Sequence, residues 1–529
     1  MACGRCVEVC PAGAAKLGQK LCSKKAGGQV PEYPRQELPD ATKWDHTKWS
    51  PNYRNDNRIE THESGTAPCK TACPAHVAVQ GYLKLAAQGR YDEALALIKR
   101  ENPLPAICGR VCNRRCEDAC TRGRVDAAVA IDEVKKFIAQ RDLDAATRYV
   151  PPVVTPTRAG DFDQKIAIIG AGPAGLSCAF YLAEKGYKPV VFEKNERPGG
   201  MLTYGIPSFK LQKDVIEAEV EIIRLMGAEF RYGVEVGRDV TLDELRAQGF
   251  KAFYVAIGCQ GGRLAGIPGE DAEDVTVAVD FLREVNSGKI DTLSGRTIVV
   301  GGGNVAIDVA RNACRLGSEH VEMFCLESEA QMPASEEERR EAVEDGAHIS
   351  CGWGPKEIHL DEAGRVCGIT FKRCTRVFDD EGRFAPEYDE NDLRRVDADR
   401  VVMSIGQSIV WGDLLAGSKV ELGRGRGALA DPQTYQTAEP DIFVGGDVYT
   451  GPSFAIDAIA AGHEAAVSIH RFVQPGSTLT IGRNQRRYTA LDRDDVVLEG
   501  YGNASREVAH VDREREKAAP FSEYVETLS

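Results

Sequence analysis

The sequence lacks several features that would place it in whole classes of protein. No apolar run approaches the roughly 20 residues that a membrane helix needs, so membrane insertion is not expected. The first residues, MACGRC, contain no apolar segment that could act as a secretory signal, which predicts a cytoplasmic protein. No Ser-His-Asp or zinc-protease pattern is present, so hydrolysis by a protein nucleophile is not expected.

A net positive charge is found only in the N-terminal part of the chain. The 529 residues carry a net charge of −14, which divides into +6 for residues 1–150 and −20 for the rest. Because nucleic-acid binding needs a broad basic surface, the acidic body excludes it as a general function. The length predicts about three compact units, and the basic first part needs its own explanation.

Cysteines are concentrated in the same basic part. Ten of the 17 lie within the first 120 residues. In a large chain without a secretory signal, this density indicates metal binding rather than structural disulfides. The other seven lie mostly in apolar stretches and are predicted to be buried, unreactive thiols: Cys178, Cys259, Cys314, Cys325, Cys351, Cys367 and Cys374.

Two segments of the chain combine a buried strand with a glycine-rich turn and a helix. In the first, KIAIIG at 165–170 leads into AGPAG, so that Gly170, Gly172 and Gly175 form a G-x-G-x-x-G pattern. The acid Glu193 ends the next predicted strand, 23 residues beyond Gly170. This context predicts a dinucleotide site in which Gly170 makes the tight turn, Gly172 admits a pyrophosphate and Glu193 accepts from a ribose hydroxyl.

The second segment lies about 130 residues further along the chain. TIVVG at 297–301 leads into GGNVA, and the acid Glu327 follows the next strand, 26 residues after Gly301. Two such units indicate a flavoprotein that exchanges hydride with a nicotinamide nucleotide, one unit holding the flavin and the other the diffusible cofactor. No cysteine pair stands beside the first unit, so a redox disulfide is not expected there.

A third segment, DIFVGGD at 441–447, is a short strand that ends in a Gly-Gly-Asp turn and precedes a helix. Asp447 is a candidate for binding a ribityl chain, and the helix N-terminus for lying under the pyrimidine end of a flavin. On this segment alone, a hairpin followed by a helix explains the pattern equally well. The first glycine turn makes the flavin site the better interpretation.

Several further motifs resemble one protein family. They are GGMLTYGIP at 199–207, VGRDVTLDEL at 236–245, AIG at 256–258, IPGE at 267–270, GGNVA at 302–306 and MPA at 332–334. They resemble the small (β) subunit of glutamate synthase, the N-terminal half of dihydropyrimidine dehydrogenase and the large subunit of NADH-dependent ferredoxin:NADP oxidoreductases. The resemblance, over about residues 66–475, implies FAD, a nicotinamide nucleotide and 4Fe–4S clusters, with hydride transfer to FAD and single-electron transfer through the clusters.

The resemblance also implies the fold class and the order of domains. We expect an α/β protein with two nested Rossmann-like dinucleotide-binding domains, preceded by an all-helical iron–sulfur domain. The expected divisions are a Cys-containing N-terminal segment and linker at 1–60, the helical iron–sulfur domain at 61–150, a first FAD-binding part at 151–284, an NAD-binding domain at 285–408, a second FAD-binding part at 409–475 and a C-terminal tail at 476–529.

The expected cofactor-binding residues follow from the turns and from the resemblance. For FAD they are Gly170, Gly172, Pro173, Ala174, Gly175, Glu193, Lys194, Gly200, Met201, Leu202, Ile206, Pro207, Ala256, Gly258, Gly446, Asp447, Ser453, Phe454 and Ala455. For NAD(H) they are Gly301, Gly302, Gly303, Asn304, Val305, Asp308, Glu327 and Gly406. No catalytic side chain is expected, because the flavin performs the hydride chemistry.

One departure from the family concerns the nucleotide. Relatives that use NADPH typically have a Tyr-Arg-Arg-Ser-Arg-type stretch before Met-Pro-Ala, whereas this chain has CLESE at 325–329. Glu327 at the strand end favours a free 2′-hydroxyl and repels a 2′-phosphate, so NAD(H) is predicted rather than NADP(H). The alternative is that Glu327 is only a solvated strand end.

A second departure concerns the cluster ligands. Relatives commonly have eight cysteines, whereas the upstream pair corresponds here to Thr61 and Ser64. One 4Fe–4S cluster is therefore expected, a second would need a ligand other than cysteine, and zinc is the alternative metal. The six candidate ligands are Cys69, Cys73, Cys108, Cys112, Cys116 and Cys120. Arginines near them would offset cluster charge, form a docking face for an acidic partner, or simply be solvated: Arg110, Arg114, Arg115, Arg122 and Arg124.

The extreme N-terminus carries CGRCVEVCP, which resembles the last three cysteines of a bacterial ferredoxin motif. Cys3, Cys6 and Cys10, with Cys22 as a fourth, are candidate ligands of a further cluster. The alternatives are a motif cut short at the start of the chain and disordered thiols with no ligand role. No cysteine follows Cys374, so any other cluster is expected on another subunit.

The resulting hypothesis is an NAD(H)-handling FAD subunit of a multi-subunit iron–sulfur oxidoreductase, which exchanges single electrons with a partner subunit or ferredoxin. The first alternative is a glutamate synthase small subunit that takes electrons from NAD(P)H. The second is an electron-wiring or scaffold subunit with a decayed nucleotide site. The intact turn at Gly301, Gly303 and Asn304 disfavours this second alternative.

Overall fold

The computed structural model describes residues 66–153, 162–483, 488–489, 491 and 502–528. Within it, Ala67–Ser529 forms one unit by internal contacts. The candidate ligands Cys3, Cys6, Cys10 and Cys22 lie outside the described residues, as do Thr61 and Ser64.

The first described domain is helical, as the family resemblance implies. Its helices are α1 (Pro68–Ala72), α2 (Val79–Ala87), α3 (Tyr91–Lys99), α4 (Pro105–Val111), α5 (Arg115–Asp118) and α6 (Ile131–Ala139), with 3-10 turns at Thr121–Arg124 and Gln140–Asp142. Leu95, Ile98 and Ile107 are fully buried between them. Helices this short are marginal alone in water, so this shared apolar core stabilises them.

A buried ion pair joins the end of α3 to the end of this domain. Lys99 Nζ lies 2.7 Å from Asp142 Oδ2, and both side chains are almost completely buried. Lys99 also donates to the Tyr149 carbonyl oxygen over 2.8 Å. Burial lowers the pKa of Lys99 and raises that of Asp142, while the opposite charge of each partner counteracts the shift.

The rest of the chain alternates strands and helices. The strands are β1 (Lys165–Ile169), β2 (Val190–Glu193), β3 (Glu229–Tyr232), β4 (Phe250–Val255), β5 (Gly261–Gly262), β6 (Val275–Val277), β7 (Arg296–Val300), β8 (His320–Cys325), β9 (His348–Cys351), β10 (Trp353–Leu360), β11 (Val366–Phe378), β12 (Phe384–Val396), β13 (Arg400–Met403), β14 (Gln407–Ser408) and β15 (Ile442–Val444). The helices are α7 (Pro173–Glu184), α8 (Met201–Tyr204), α9 (Lys213–Leu225), α10 (Leu242–Ala247), α11 (Ala278–Asn286), α12 (Asn304–Arg315), α13 (Glu336–Glu344), α14 (Asp447–Thr450), α15 (Ala455–Val473) and α16 (Arg513–Ala518). None of the helices described has both the length and the apolar character that crossing a bilayer demands.

Two five-stranded parallel sheets form the centres of two nested domains. The strand order is β15-β4-β1-β2-β3 in the first sheet and β6-β13-β7-β8-β9 in the second. A three-stranded antiparallel sheet, β10-β11-β12, lies along the chain between β9 and β13 of the second sheet. The chain leaves the first sheet after β4 and returns to it at β15, so the second domain is inserted into the first. The predicted nested α/β fold is confirmed.

Buried apolar strands and closely packed helices explain the first domain. Ile166, Ala167 and Ile168 of β1 are fully buried, as expected for a parallel strand covered on both faces. A Cβ at Gly462 would lie only 2.2 Å from the Ala174 carbonyl oxygen. Helix α15 therefore packs with its backbone directly against α7.

The last described segment, residues 502–528, contacts both the helical domain and the inserted domain. On one side, Arg110 Nε donates to Glu523 over 3.1 Å. On the other side, Arg311 Nη2 donates to the Tyr524 hydroxyl over 2.6 Å. The predicted C-terminal tail thus contains a segment that joins two domains, which its sequence alone does not indicate.

Removing Asp142 should destabilise the helical domain. In Asp142→Ala the buried Lys99 ammonium loses its counter-charge, and breaking a buried pair in this way costs about 3–5 kcal/mol. The measurement is the midpoint of chemical unfolding followed by circular dichroism. The control is Glu93→Ala, which breaks an exposed pair with Arg90 and should leave the midpoint nearly unchanged. Equal midpoints for the two variants would contradict the stabilising role of the buried pair.

Candidate functional site

The first glycine turn, between β1 and α7, leaves no room for side chains at two positions. Gly170 has φ 105°, and a Cβ there would lie 2.5 Å from the Ala256 carbonyl oxygen. A Cβ at Gly175 would lie 1.9 Å from the Gly170 carbonyl oxygen, so this glycine lets α7 pack against the turn. Gly172, by contrast, faces open space. The N-terminus of α7 is therefore accessible to a negatively charged group.

One cavity extends from this turn across the carboxyl end of the first sheet. Most of the residues predicted for FAD line it: Gly170, Gly172, Pro173, Ala174, Glu193, Lys194, Gly200, Met201, Leu202, Ile206, Ala256, Gly258, Gly446, Asp447, Ser453, Phe454 and Ala455. Of the predicted set, Gly175 and Pro207 are outside the lining. Gly175 instead packs against the Gly170 carbonyl group of the turn.

Two carboxylates in the cavity wall are fixed by hydrogen bonds. Glu193, at the end of β2, accepts from the Ala171 amide over 2.8 Å and from the Asn195 amide over 2.9 Å. Asp447 accepts from the Ser453 amide over 3.2 Å. Burial raises the pKa of Asp447, and the hydrogen bonds from Ser453 oppose that shift. Both side chains are thus held in orientations suited to accepting from sugar or ribityl hydroxyl groups.

The second glycine turn, between β7 and α12, repeats the geometry of the first. Gly301 has φ 142°, and a Cβ there would lie 2.2 Å from the Ser404 carbonyl oxygen, whereas Gly303 faces open space. A Cβ at Gly302 would lie 3.0 Å from Glu327 Oε2. The predicted acid therefore lies directly beside the turn.

The second unit also reaches the first cavity. Val305 and Asp308 of α12 line that cavity, together with Leu282 of α11. The other residues predicted for NAD(H) lie outside its lining: Gly301, Gly302, Gly303, Asn304, Glu327 and Gly406. Helix α12 is therefore the element at which the two predicted nucleotide sites meet.

A buried lysine that the sequence analysis did not identify links the two domains at this point. Lys210 Nζ lies 2.6 Å from Asp308 Oδ1 and also contacts Glu338 at the start of α13. The lysine belongs to the first domain and the two carboxylates to the inserted one. A charged residue within the apolar stretch GIPSFKL at 205–211 was the available signal.

A second unpredicted lysine supports the cavity wall. Lys213 Nζ donates to the carbonyl oxygens of Leu202 and Ile206, over 3.1 and 2.5 Å, and both of these residues line the cavity. Burial, with the nearby charge of Arg197, lowers the pKa of Lys213 to about 7. The charge behind this part of the wall therefore changes near neutral pH.

The six cysteines of the helical domain influence one another, and none of them is in a disulfide. The Cys120 thiolate adds to burial in raising the pKa of Cys69. Burial and the Cys73 thiolate also raise the pKa of Cys112, and they raise the pKa of Cys116 to about 12. Among the described residues, no group of three or more His, Cys, Asp and Glu side chains is arranged to hold a single metal ion. A four-iron cluster is larger, and its inorganic core keeps the thiolates apart, so they need not converge on one point.

A buried lysine lies among the same cysteines. Lys135 of α6 pairs with Asp132. Burial raises the pKa of Cys108, Cys112 and Cys116, and the positive charge of Lys135 counteracts this increase. A positive charge next to these thiols favours the thiolate form, which is the form that binds iron. The donor chemistry of this region therefore fits an iron–sulfur cluster, and the sequence analysis had not identified Lys135.

Arg115 connects the cysteines to the cavity. Its guanidinium donates two hydrogen bonds to Asp457 of α15, over 2.9 and 3.1 Å. It also lies 5.4 Å from the centroid of the Phe454 ring, which lines the cavity. Because Cys116 directly follows Arg115, these contacts hold part of the cysteine region against the cavity wall.

The other arginines of this region also have partners within the chain. The ion pairs are Arg110 with Glu523, Arg114 with Glu337 and Arg122 with Asp126. These arginines were predicted to offset cluster charge, to dock a partner or to be solvated. In the structure these three arginines pair with carboxylates of the chain, and the three interpretations stay predictions.

Two stretches of the cavity wall were not among the residues predicted for FAD. They follow β3 and β13, and their lining residues are Val234, Glu235, Val236, Gln407, Val410, Trp411 and Leu414. Trp411 is held by a 2.8 Å hydrogen bond from its indole nitrogen to the Arg426 carbonyl oxygen. These residues reach the cavity through tertiary packing rather than through a local motif.

Comparison with protein families gives two matches along the chain. Residues 164–462 match the pyridine nucleotide-disulphide oxidoreductase family. Residues 60–147 match dihydropyrimidine dehydrogenase domain II, which is described as a 4Fe-4S cluster domain.

Individual relatives cover most of the chain. The β subunit of the NADP(+)-dependent formate dehydrogenase of Moorella thermoacetica is 35% identical over 87% of this chain and 67% of its own length. The glutamate synthase [NADPH] small chain of Escherichia coli (strain K12) is 35% identical over 78% of this chain and 89% of its own length. The NAD-dependent dihydropyrimidine dehydrogenase subunit PreT of Escherichia coli O157:H7 is 32% identical over 77% of this chain and 91% of its own.

A solved structure supports the fold. Mycobacterium tuberculosis FprA in complex with NADPH matches with a TM-score of 0.51 at 20% identity, covering 58% of this chain and 84% of FprA. The chain therefore belongs to the pyridine nucleotide-disulphide oxidoreductase family, in the group that includes the glutamate synthase small chain, and is an FAD-dependent oxidoreductase with a nicotinamide nucleotide site and a 4Fe–4S domain.

Proposed function

We propose that this chain is the NAD(H)-handling FAD subunit of a multi-subunit iron–sulfur oxidoreductase. It exchanges hydride with NAD(H) at FAD and passes single electrons through its cluster to or from a partner subunit or ferredoxin. The observation that carries the proposal is the shared cavity, which residues of the first glycine turn line together with Val305 and Asp308 of the inserted domain. The nicotinamide ring of a nucleotide bound at the second turn would lie in the same cavity as the flavin ring of FAD bound at the first turn.

FAD is proposed to bind along this cavity. Gly172 and the N-terminus of α7 would hold its pyrophosphate, Glu193 its ribose and Asp447 its ribityl chain. The other FAD residues named above would line the isoalloxazine and adenine ends. Bound FAD supplies the hydride and one-electron chemistry, while the chain binds it, orients it and limits its contact with water.

NAD(H) is proposed to bind at the second turn, with Glu327 accepting from the adenosine 2′-hydroxyl. The carboxylate lies beside Gly302, where such a hydroxyl would stand. Two arginines of the same domain already have partners. Arg339 donates to the Glu329 carbonyl oxygen over 2.7 Å, and Arg373 lies 5.2 Å from the centroid of the Trp353 ring. Glu327 therefore supplies the charge at the 2′ position.

The cluster is proposed to take its ligands from the six cysteines of the helical domain. Six thiols suffice for one 4Fe–4S cluster with two left over. Lys135 would balance part of the negative charge of the thiolate-bound cluster, and Arg115 would hold it next to the flavin. Cys3, Cys6, Cys10 and Cys22 remain candidates for a further cluster.

The partner is proposed to be an iron–sulfur or catalytic subunit of an oxidoreductase, or ferredoxin. The Moorella relative is the β subunit of a formate dehydrogenase and the Escherichia relative is the small chain of glutamate synthase, which supports this assembly. A glutamate synthase small subunit is the second candidate, favoured by the match to 89% of the Escherichia coli small chain. Copurification with a large amidotransferase subunit and a preference for NADPH would favour that second candidate.

Anaerobic titration of the purified chain with NADH and, separately, with NADPH tests the proposal. We expect NADH to bleach the flavin and then the iron–sulfur absorbance at lower concentration than NADPH does.

In Glu327→Ala the KM for NADH should rise about tenfold, because one hydrogen bond to a charged acceptor is lost. The control is Glu319→Ala, an exposed carboxylate at the other end of β8. A preference for NADPH in the unaltered chain would contradict the assignment of Glu327.

Replacing Arg115 should slow electron transfer to the cluster without slowing hydride transfer. Arg115→Met loses the hydrogen bonds to Asp457 and loosens the contact between the cysteine region and the cavity wall. Stopped-flow absorbance should show flavin reduction by NADH unchanged and cluster reduction slower by about tenfold. Lys84→Met, which removes an exposed charge in the same domain, is the control. Slower flavin reduction in Arg115→Met would instead indicate general misfolding of the cavity.

Lys213 should make the flavin potential depend on pH near neutrality. The pKa of about 7 means that the lysine is charged below this pH and neutral above it. Because a positive charge near the pocket stabilises the reduced flavin, the midpoint potential should fall more steeply between about pH 6 and about pH 8 than in Lys213→Met. Lys289→Met, which alters an exposed lysine, should keep the steep dependence. Identical slopes in all three proteins would show that Lys213 has no such effect.

A further inference from the structure

Two cysteines of the inserted domain lie side by side next to the second glycine turn. Cys325 ends β8 and Cys351 ends β9, and the two residues are register partners on neighbouring parallel strands. Their sulfur atoms are 3.7 Å apart. Both side chains face the same apolar cluster of the domain. Adjacent strands are about 4.8 Å apart, which is within the Cα separation that a disulfide can bridge.

One thiol of the pair is accessible to solvent and the other is buried. Cys351 is partly exposed, whereas Cys325 is only 2% exposed. Burial and the neighbouring Cys351 thiolate raise the pKa of Cys325. An oxidant in solution would therefore meet Cys351 first, and Cys325 lies close enough to react with the product in a second step.

The same two residues border the position of Glu327. The Cys325 Sγ lies 3.7 Å from the Glu327 carbonyl oxygen, and the Gly352 amide, next to Cys351, donates to that oxygen over 2.9 Å. A Cβ at Gly302 would lie 2.9 Å from the Cys325 Cβ. A movement of Cys325 toward Cys351 would therefore shift both the acid and the surface beneath the glycine turn.

We propose that Cys325 and Cys351 form a reversible disulfide that lowers the affinity of the second turn for its nucleotide. In the first step the Cys351 thiolate attacks a low-molecular-weight disulfide, which forms a mixed disulfide and releases one thiol. In the second step Cys325 loses its proton and attacks the Cys351 sulfur, which releases the second thiol. Two protein thiols are oxidised by two electrons, and the small disulfide is reduced to two thiols. The effect on nucleotide binding rests on the proposed function, whereas the disulfide itself does not.

The disulfide can be detected independently of any enzyme activity. After incubation with oxidised glutathione and blocking of the remaining thiols, trypsin cuts after Arg315, Arg339, Arg340 and Lys356. Cys325 and Cys351 then lie on two different peptides that each contain one cysteine. Mass spectrometry should find these two peptides linked, and the link should disappear after reduction with dithiothreitol.

The regulatory effect is measured as the KM for NADH with ferricyanide as electron acceptor. We expect the KM to rise about tenfold on oxidation and to return on reduction. Cys351→Ser should form no link and show no change, while Cys314→Ser, a half-buried cysteine outside the pair, should behave like the unaltered chain. Cluster absorbance, followed in parallel, identifies preparations in which the iron ligands have been oxidised, and these are discarded.

Three results would overturn the proposal. They are the absence of the linked peptides, a linked pair with an unchanged KM, and the same rise in KM in Cys351→Ser. A reduced chain that does not accept electrons from NADH would contradict the proposed function instead. In that case the peptide analysis would still decide whether the two thiols pair.

Discussion

At Gly170 and again at Gly301, the main chain passes so close to a neighbouring carbonyl group that only hydrogen fits in place of a side chain. This close approach brings the N-terminus of a long helix to the carboxyl end of a parallel sheet in each domain. The partial positive charge of the helix end then faces the crevice, where an anionic group is stabilised. Because one domain is inserted into the other, both crevices open toward helix α12, and the cavity of the first domain includes residues of the second.

The helical domain shares one apolar core with the first domain, and charged residues add further contacts. Arg115 contacts both Asp457 and the Phe454 ring at the start of α15. Lys135 places a buried positive charge among thiols that burial would otherwise keep protonated. Arg115 holds the cysteine region next to the cavity wall, and Lys135 favours the thiolate form of the cysteines. The same domain depends on the Lys99–Asp142 pair for its own integrity.

The sequence was sufficient to predict the features that are encoded within a few consecutive residues. The glycine turns, the acids at the ends of β2 and β8, and the Gly446–Asp447 turn each combine strand, turn and helix signals over a short stretch. The family resemblance, rather than these motifs alone, implied the nested fold. Trp411 and Val236 could not be assigned to the cavity, because they reach it through contacts between distant parts of the chain. Lys210 and Lys213 were missed for a related reason, since a lysine in an apolar stretch does not reveal its partner. The prediction that Cys325 and Cys351 are buried, unreactive thiols was made without knowledge of the pairing of β8 with β9, which places the two residues side by side.

The segment 502–528 connects two domains that are far apart along the chain, since it forms hydrogen bonds with both. Glu523 is bound by the helical domain, and Tyr524, the next residue, by Arg311 of the inserted domain. A large swing of the inserted domain away from the helical domain would have to break at least one of these two attachments. The two glycine turns would therefore keep their spacing while a diffusible nucleotide enters and leaves.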